Sequence, residues 1–386
     1  MVKKLLIHLG FGINHICLLE YYKNISSFNI LIVDQKPPKE LSKYVDYVLT
    51  SSIKETELIL KYVEKNFKNL EFLDVYPVSD LAIPCAVALL KKFSPKYRNI
   101  DSILKMADKY KCYEKFFNLG IKYPKDFPID KAELILSSKN KKFISKPKLS
   151  TDSYGIELIS ISKFNQKKKY LIEKKDELIF QEFIEGKLFN VDIYVMNGIF
   201  KILSVNYRLP SKVSPYLSGL TIQSKPNYFL NIEKLEKVIS KIINGFSYRD
   251  GPLTIDLIKN TNGKYYILEI SPFFHKPWLN CLRTNHSPLL NIMINPISNK
   301  NFIRSVETDK LLSFEWVIYY KENFNILQIE KALIPISISL CSDYEERLKE
   351  GSYSSSEQQI SCSLKGLINP SNINQLKSIY KKFKDD

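Results

Sequence analysis

The chain has 386 residues, a formal net charge of +16, 45% hydrophobic and 25% charged residues, which excludes a disordered polymer and leaves apolar material for two or three domains. Its longest apolar run, Leu81–Leu90, is interrupted by Pro84 and falls short of the roughly 20 residues of a membrane span. Near the N-terminus the Lys3–Ile7 stretch is broken by His8, Gly10 and Gly12 before any small-residue cleavage site, so a soluble, cytoplasmic protein with no membrane partner is expected.

Only 6 of the 57 basic residues are arginine, and the lysines are spread along the chain. That pattern argues against nucleic-acid binding and favours small anionic ligands. The cysteines (Cys17, Cys85, Cys112, Cys281, Cys341 and Cys362) include no C-x-x-C pair, so reduced core residues are expected rather than a disulfide framework or a zinc site.

In chain order, Lys4–Leu9 reads as a strand, Gly10-Phe11-Gly12 as a glycine turn and Ile13–Tyr22 as an apolar helix. A strand over Asn29–Val33 ends at Asp34. Helix Thr56–Phe67, strand Leu70–Val75 and helix Asp80–Phe93 follow. This alternation predicts a parallel, doubly wound sheet. Gly10, Gly12 and Asp34 outline a dinucleotide fingerprint, but the third glycine position holds His15, which favours a Rossmann-like turn with no dinucleotide and leaves an NAD-dependent enzyme as an alternative.

Asp101–Asn118 reads as one helix stopped by Gly120. Strands follow over Lys142–Pro147, Leu178–Phe183, Leu188–Met196 and Ile199–Tyr207, the last two joined by Asn197-Gly198. Helix Ile232–Asn244 precedes a hairpin of Leu253–Ile258 and Tyr265–Ile270. Beyond about residue 300 come strand-like segments and a C-terminal helix whose Lys377, Lys381, Lys382 and Lys384 read as a solvated face.

The chemistry concentrates in the second hairpin. With Asn262-Gly263 as the centre of a type I′ turn, Thr261 pairs with Lys264 and Asp256 falls opposite Glu269, with Ser271 on the same face. Two carboxylates facing each other repel unless a cation lies between them, and an oxygen-only donor set points to Mg²⁺. Ile258 and Ile267 are expected on that face. A lysine-dense strand running into the Thr151–Gly155 loop suits a polyphosphate. Gln181–Gly186 pairs an apolar strand end with acids suited to a base edge and a ribose. His275 and His286 follow the carboxylate strand and read as structural.

Taken in order, these motifs resemble the ATP-grasp superfamily, in particular its carboxylate–amine ligase branch, related to biotin carboxylase and the carbamoyl-phosphate synthase large subunit. The resemblance runs over about residues 1–290, through Asp108-Lys109, Ser145-Lys146-Pro147, Glu182–Gly186, Val191-Asp192, Asp256 and Leu268–Pro272. It implies an α/β and α+β chain in three parts: a Rossmann-like pre-grasp domain over residues 1–97, a two-lobed ATP-grasp domain over 98–300 with a small mobile lobe at about 125–185, and a small α+β lobe over 301–386.

The implied cofactors are ATP and Mg²⁺, for which Mn²⁺ can substitute, with Lys109 and Lys146 on the phosphates and the loop containing Ser153 and Gly155 closing over them. Glu182, Phe183 and Ile184 would meet the adenine, Glu185 the ribose, and Asp256, Glu269 and Ser271 the metal. Arg208 and Arg283 are assigned to the carboxylate substrate or the transferred phosphate, because a planar guanidinium grips such groups bidentately. The implied function joins a small-molecule carboxylate, activated as an acyl phosphate, to an amine; a homodimer is a compatible assembly. Leu188 stands where the family has a second glutamate, and Ser271 and Phe273 where it often has Asn and Arg. A nucleotide-binding regulatory module without turnover is therefore a further alternative.

Overall fold

The structure, a computed structural model, describes residues 4–11, 19, 23, 28–37, 39–94, 100–137, 142–148, 155–211, 218–224, 226–275, 311–319, 326–344 and 360–385. Strands β1 (Lys4–Leu9), β2 (Phe28–Asp34), β3 (Tyr47–Thr50) and β4 (Glu71–Pro77) form a parallel sheet in the order β3-β2-β1-β4. The central strands β1 and β2 are buried almost throughout, so they read as continuous apolar runs. Edge strand β3 is largely exposed, carries no such run and was not anticipated. Helices α1 (Thr56–Asn66) and α2 (Ile83–Phe93) pack on the sheet. Pro84 sits in the first turn of α2, where no backbone donor is needed. The helix expected at 13–22 lies, apart from Leu19, outside the described residues.

The single helix expected over Asp101–Asn118 is two: α3 (Ile100–Ala107) and α4 (Lys109–Asn118). Asp108 breaks them apart, because its side chain accepts from the amides of Tyr110 and Lys111 and caps α4. Lys109 thereby becomes the first residue of a helix.

A small lobe follows, made of α5 (Ala132–Ser137), β5 (Phe143–Pro147), β6 (Glu157–Ile159), α6 (Ile161–Glu173) and β7 (Leu178–Glu182), with the antiparallel order β6-β5-β7. Its core is aromatic: Phe143 packs edge-on against both Phe164 and Phe180.

The large sheet has eight strands in the order β12-β11-β8-β9-β10-β13-β15-β14. These are β8 (Gly186–Met196), β9 (Ile199–Pro210), β10 (Ser218–Ser224), β11 (Gly251–Asn260), β12 (Tyr265–Ser271), β13 (Leu312–Tyr319), β14 (Ser337–Tyr344) and β15 (Ile360–Ile368). Helix α7 (Ile232–Phe246) precedes β11; α8 (Ile326–Leu333) and α9 (Ile373–Asp385) accompany the last strands. Asn197 and Gly198 both have positive φ (53° and 78°), the type I′ signature expected of the β8–β9 turn. The three C-terminal strands extend this sheet through the β10–β13 pairing and build a second core around Trp316 with α8 and α9.

Period-2 alternation divides the sheet into unlike faces. On the back, Phe189, Val191, Val205, Tyr207, Ile255 and Leu257 join α3, α4 and α7 in the main core. On the front, Asn190, Asp192, Ser204, Asn206, Thr254 and Asp256 lie in register, all buried and all polar. Among the described residues no helix is long and apolar enough to cross a membrane, and Cys85 and Cys112 are buried and free.

Candidate active site

Asp256 and Glu269 are register partners across β11 and β12, as the sequence predicts, but by a different route. The turn is not type I′. Asn260 N–H donates to the Lys264 carbonyl, Gly263 N–H donates to the Asn260 carbonyl, and Gly263 (φ 70°) is the left-handed residue. This is a three-residue loop built on a type I turn, so Lys259 pairs with Tyr265 and Leu257 with Ile267. A β-bulge at Leu268 adds one residue back, returning Glu269 to Asp256 and Ser271 to Thr254. Ile267 is consequently moved to the core face beside Leu257 and is fully buried there, not on the carboxylate face.

Basic groups from three other elements surround this pair. Lys109, at the start of α4, places Nζ 3.4 Å from Glu269 Oε2. Arg208 of β9 places its NH1 3.4 Å from Asp256 Oδ2, and His275 Nδ1 lies 3.5 Å from Asp256 Oδ1. Asn190 of β8 donates through Nδ2 to Asp256 Oδ1. Lys146 of β5 is buried and donates to the Tyr113 hydroxyl over 2.7 Å. Tyr113, in turn, donates to the Leu268 carbonyl at the bulge over 2.9 Å.

The electrostatics follow from this crowding. Burial lifts the Asp256 carboxyl above its ordinary value, with the neighbouring Glu269 charge adding to it; His275 and Arg208 oppose the rise. Burial also acts upward on Glu269, but Lys109, His275 and Lys146 outweigh it and hold that carboxyl below its usual range. Lys109 is raised, since Glu269, Asp80 and Asp256 overcome its desolvation. Lys146 is pushed down to about 8, chiefly by burial and then by the Lys109 charge.

Gly155 has φ 71°, and a β-carbon there would fall 2.7 Å from Pro147 Cγ, so the end of the 151–155 loop abuts the strand that carries Lys146. The Glu182 carboxylate accepts from Lys125 N–H over 3.0 Å, while Phe183 and Glu185 are exposed on the link between lobes and Ile184 is half-buried. Ser271 is buried on the carboxylate face. Leu188 lies opposite Arg208 on the front face. Arg283, Ser153 and His286 lie outside the described residues. The structure thus gathers Arg208, Asp256, Glu269 and Ser271 on the front face, brings Lys109 of α4 onto Glu269, connects Lys146 to the same strand through Tyr113, and leaves Phe183 and Glu185 in solvent. It adds Tyr113, Asn190 and His275, of which only His275 stood out in the sequence, through its place after the carboxylate strand.

Asp34, the acid of the dinucleotide outline, accepts from the backbone N–H of Phe11 and of Lys36. Both bonds tie it to the backbone around the glycine turn.

The donor set at the hairpin fits a magnesium ion: two carboxylates and a hydroxyl on one face, all oxygen, with like charge pressing on a buried Asp256. Among the described residues no group of three or more His, Cys, Asp or Glu side chains is placed to hold a metal alone.

A family model described as the ATP-grasp domain matches residues 106–276. Known structures share the fold along the chain. An L-amino acid ligase from Bacillus licheniformis is 13% identical, with TM-score 0.76 over 100% of this chain and 98% of its own. A carboxyaminoimidazole ribonucleotide synthase from Aspergillus clavatus, complexed with ATP, is 13% identical with TM-score 0.74 over 99% and 98%. A phosphoribosylglycinamide synthetase from Anaerococcus prevotii is 14% identical with TM-score 0.68 over 99% and 98%. A search of curated proteins finds no match.

Proposed function

We propose, from the premise that residues 106–276 form an ATP-grasp domain, that this chain is an ATP-dependent ligase that activates a small carboxylate as an acyl phosphate and joins it to an amine. The observation that carries the reading is the Asp256–Glu269 pair, opposed across one ladder and approached by Lys109 and Arg208, with Lys146 nearby. Phosphoryl transfer needs positioning and neutralisation of charge more than covalent chemistry from the protein, and this face offers both. The solved structures named above are a ligase, a synthetase and a synthase, one of them complexed with ATP, which supports the reading.

Lys109 and Lys146 would hold the ATP phosphates from the two lobes. Glu182 is engaged with Lys125 N–H, so the adenine edge would meet the backbone of Phe183 and Ile184 at the link, with Glu185 turned to the ribose. Asp256, Glu269 and Ser271 would hold Mg²⁺, which when bound supplies neutralisation of the phosphate charge. A carboxylate oxygen of the substrate attacks the γ-phosphorus and ADP leaves. The amine nitrogen then attacks the acyl carbon, inorganic phosphate departs with the oxygen it received, and the amine proton is lost. Arg208, next to Asp256 on the front face, would grip the acyl phosphate; Arg283 is assigned the same duty from sequence. The loop through Ser153 to Gly155 would close over the phosphates and exclude water.

The test is Mg²⁺-dependent ADP release against pooled amino acids and small carboxylates, with Glu269→Gln beside the native chain. Release that needs one pool and Glu269 supports the ligase. ATP binding with no release in any pool would favour the regulatory module, and no ATP binding would end both readings.

A further inference from the structure

We infer that the back face of the large sheet carries a second site, for a small anion bearing a flat ring, such as an aryl or nucleoside monophosphate. It is a cavity of about 400 Å³ near the start of β8, bounded by the 260–263 turn and by α9, within the size range of small-molecule pockets. Its floor is aromatic. Phe189 and Tyr207 lie 5.3 Å apart between ring centroids, Tyr207 and Phe229 5.5 Å, and Phe189 and Phe229 6.1 Å. Its rim is cationic, with Lys187, Lys259 and Lys377 all lining the space.

Lys377 is the informative member. The sequence assigns it to a solvated helix face, yet its Nζ lies 4.7 Å from the centroid of the Tyr207 ring, and it is half-buried. Burial, with the charges of Lys187 and Lys381, holds its pKa below the ordinary lysine value. Lys259 Nζ donates to the Phe229 carbonyl over 3.3 Å, which fixes a second ammonium at the wall. Among the described residues none of these three lysines forms an ion pair with a carboxylate. Cations without a counter-charge beside apolar rings match a ligand with an anionic head and a flat body: the head meets the ammoniums and the ring packs against Phe229, the half-buried member of the floor.

This site is separate from the one on the front. Phe189 and Tyr207 alternate along β8 and β9 with Asn190, Asn206 and Arg208, so the two sites occupy opposite faces of the same strands. The inference therefore stands whether or not the chain is a ligase.

The test is calorimetric titration of phenyl phosphate into the full chain, with ADP and Mg²⁺ present in excess to occupy the front. Phenyl phosphate should bind in the millimolar range or tighter, roughly tenfold weaker in Lys377→Ala and close to native in Lys377→Arg, as expected when a charged contact is removed or kept. Inorganic phosphate, lacking the ring, should bind more weakly. Lys187→Ala is a second surface variant with the same expected direction. Binding unchanged in both alanine variants, binding lost in Lys146→Ala, equal affinity for inorganic phosphate, or no binding at all would each overturn the site.

Discussion

Lys146 and Tyr113 meet across the two lobes, ammonium to hydroxyl at 2.7 Å, with the Lys146 Nζ also 5.2 Å from the Tyr113 ring centroid. The same hydroxyl donates to the Leu268 carbonyl, at the bulge that sets Glu269 opposite Asp256. One side chain of α4 thus connects a lysine of the small lobe to the strand that carries the carboxylates. Tyr123 stacks on its ring at 5.3 Å and 7°, which holds the ring while leaving the hydroxyl to the site.

Tyr113→Phe keeps that stack and removes both hydrogen bonds. The Leu268 carbonyl and the Lys146 ammonium then lose a buried partner, at a cost of about 1–2 kcal/mol in stability. In the ligase reading, KM for ATP should rise by roughly tenfold, since a loss of about 1.4 kcal/mol in positioning gives that factor. Steady-state ADP release and urea denaturation measure the two effects. An unchanged KM with a lowered urea midpoint would reduce Tyr113 to a packing role.

The depressed Lys146 ammonium, with a pKa of about 8, makes ATP binding sensitive to alkali. Below that value Lys146 is charged and available to phosphate; as pH rises through it, the charge is lost, and KM for ATP should climb. Bound ATP favours the ammonium, so the break should lie higher in kcat than in kcat/KM. Lys146→Arg carries a guanidinium that stays charged throughout this range, so the alkaline limb in kcat/KM should vanish even if the maximum falls. A limb that persists in the arginine variant would assign it to another group.

The opposition of Asp256 and Glu269 was legible because strand alternation and a glycine turn restrict the pairing to a few registers. Alternation with a two-residue turn nevertheless puts the turn one residue out and carries no sign of the bulge at Leu268; the two displacements cancel in the register. They do not cancel for Ile267, which went to the wrong face. Bulges arise from packing around a strand, here including the Tyr113 hydroxyl on the Leu268 carbonyl, and leave little trace in local residue pattern. Tyr113, Asn190 and Arg208 reach the site from α4, β8 and β9, and only the fold makes them neighbours. The division at Asp108 was legible in principle, since an aspartate ahead of a helical run is a capping signal, but the apolar periodicity on both sides obscured it. The polar front face was missed for a related reason: each buried Asn, Ser or Thr reads as an exposed position until its strand neighbours are known.

Asp192 tests that front face. It is fully buried and accepts from Ser204 Oγ over 2.8 Å and Asn206 Nδ2 over 3.0 Å, both at Oδ2. Thr254 Oγ1 lies 2.9 Å from its Oδ1 and 2.8 Å from the Phe273 carbonyl, and donates to one at a time. Asp192→Leu strands the Ser204 and Asn206 donors and should cost about 3–5 kcal/mol in urea or thermal denaturation. Asp192→Asn keeps the shape and one acceptor oxygen, so about 1–2 kcal/mol is expected. Equal losses in the two variants would show that volume, not hydrogen bonding, governs the site.

Two glycines with nearly the same backbone separate strain from function. Gly155 (φ 71°) and Gly263 (φ 70°) both occupy the left-handed region, but a β-carbon at Gly155 would fall 2.7 Å from Pro147 Cγ, while one at Gly263 meets nothing within 4 Å. Gly263→Ala should therefore carry the backbone cost alone, about 1 kcal/mol, with activity intact because the turn lies away from Lys109 and Lys146. Gly155→Ala adds a collision with the ring next to Lys146, so a larger loss of about 2–3 kcal/mol is expected. The displaced loop end should also raise KM for ATP several-fold, the mark of a segment that closes over phosphate. Denaturation curves and ATP kinetics on the pair give the comparison directly. A Gly155→Ala chain that is destabilised but binds ATP as the native chain does would remove this loop from the nucleotide site.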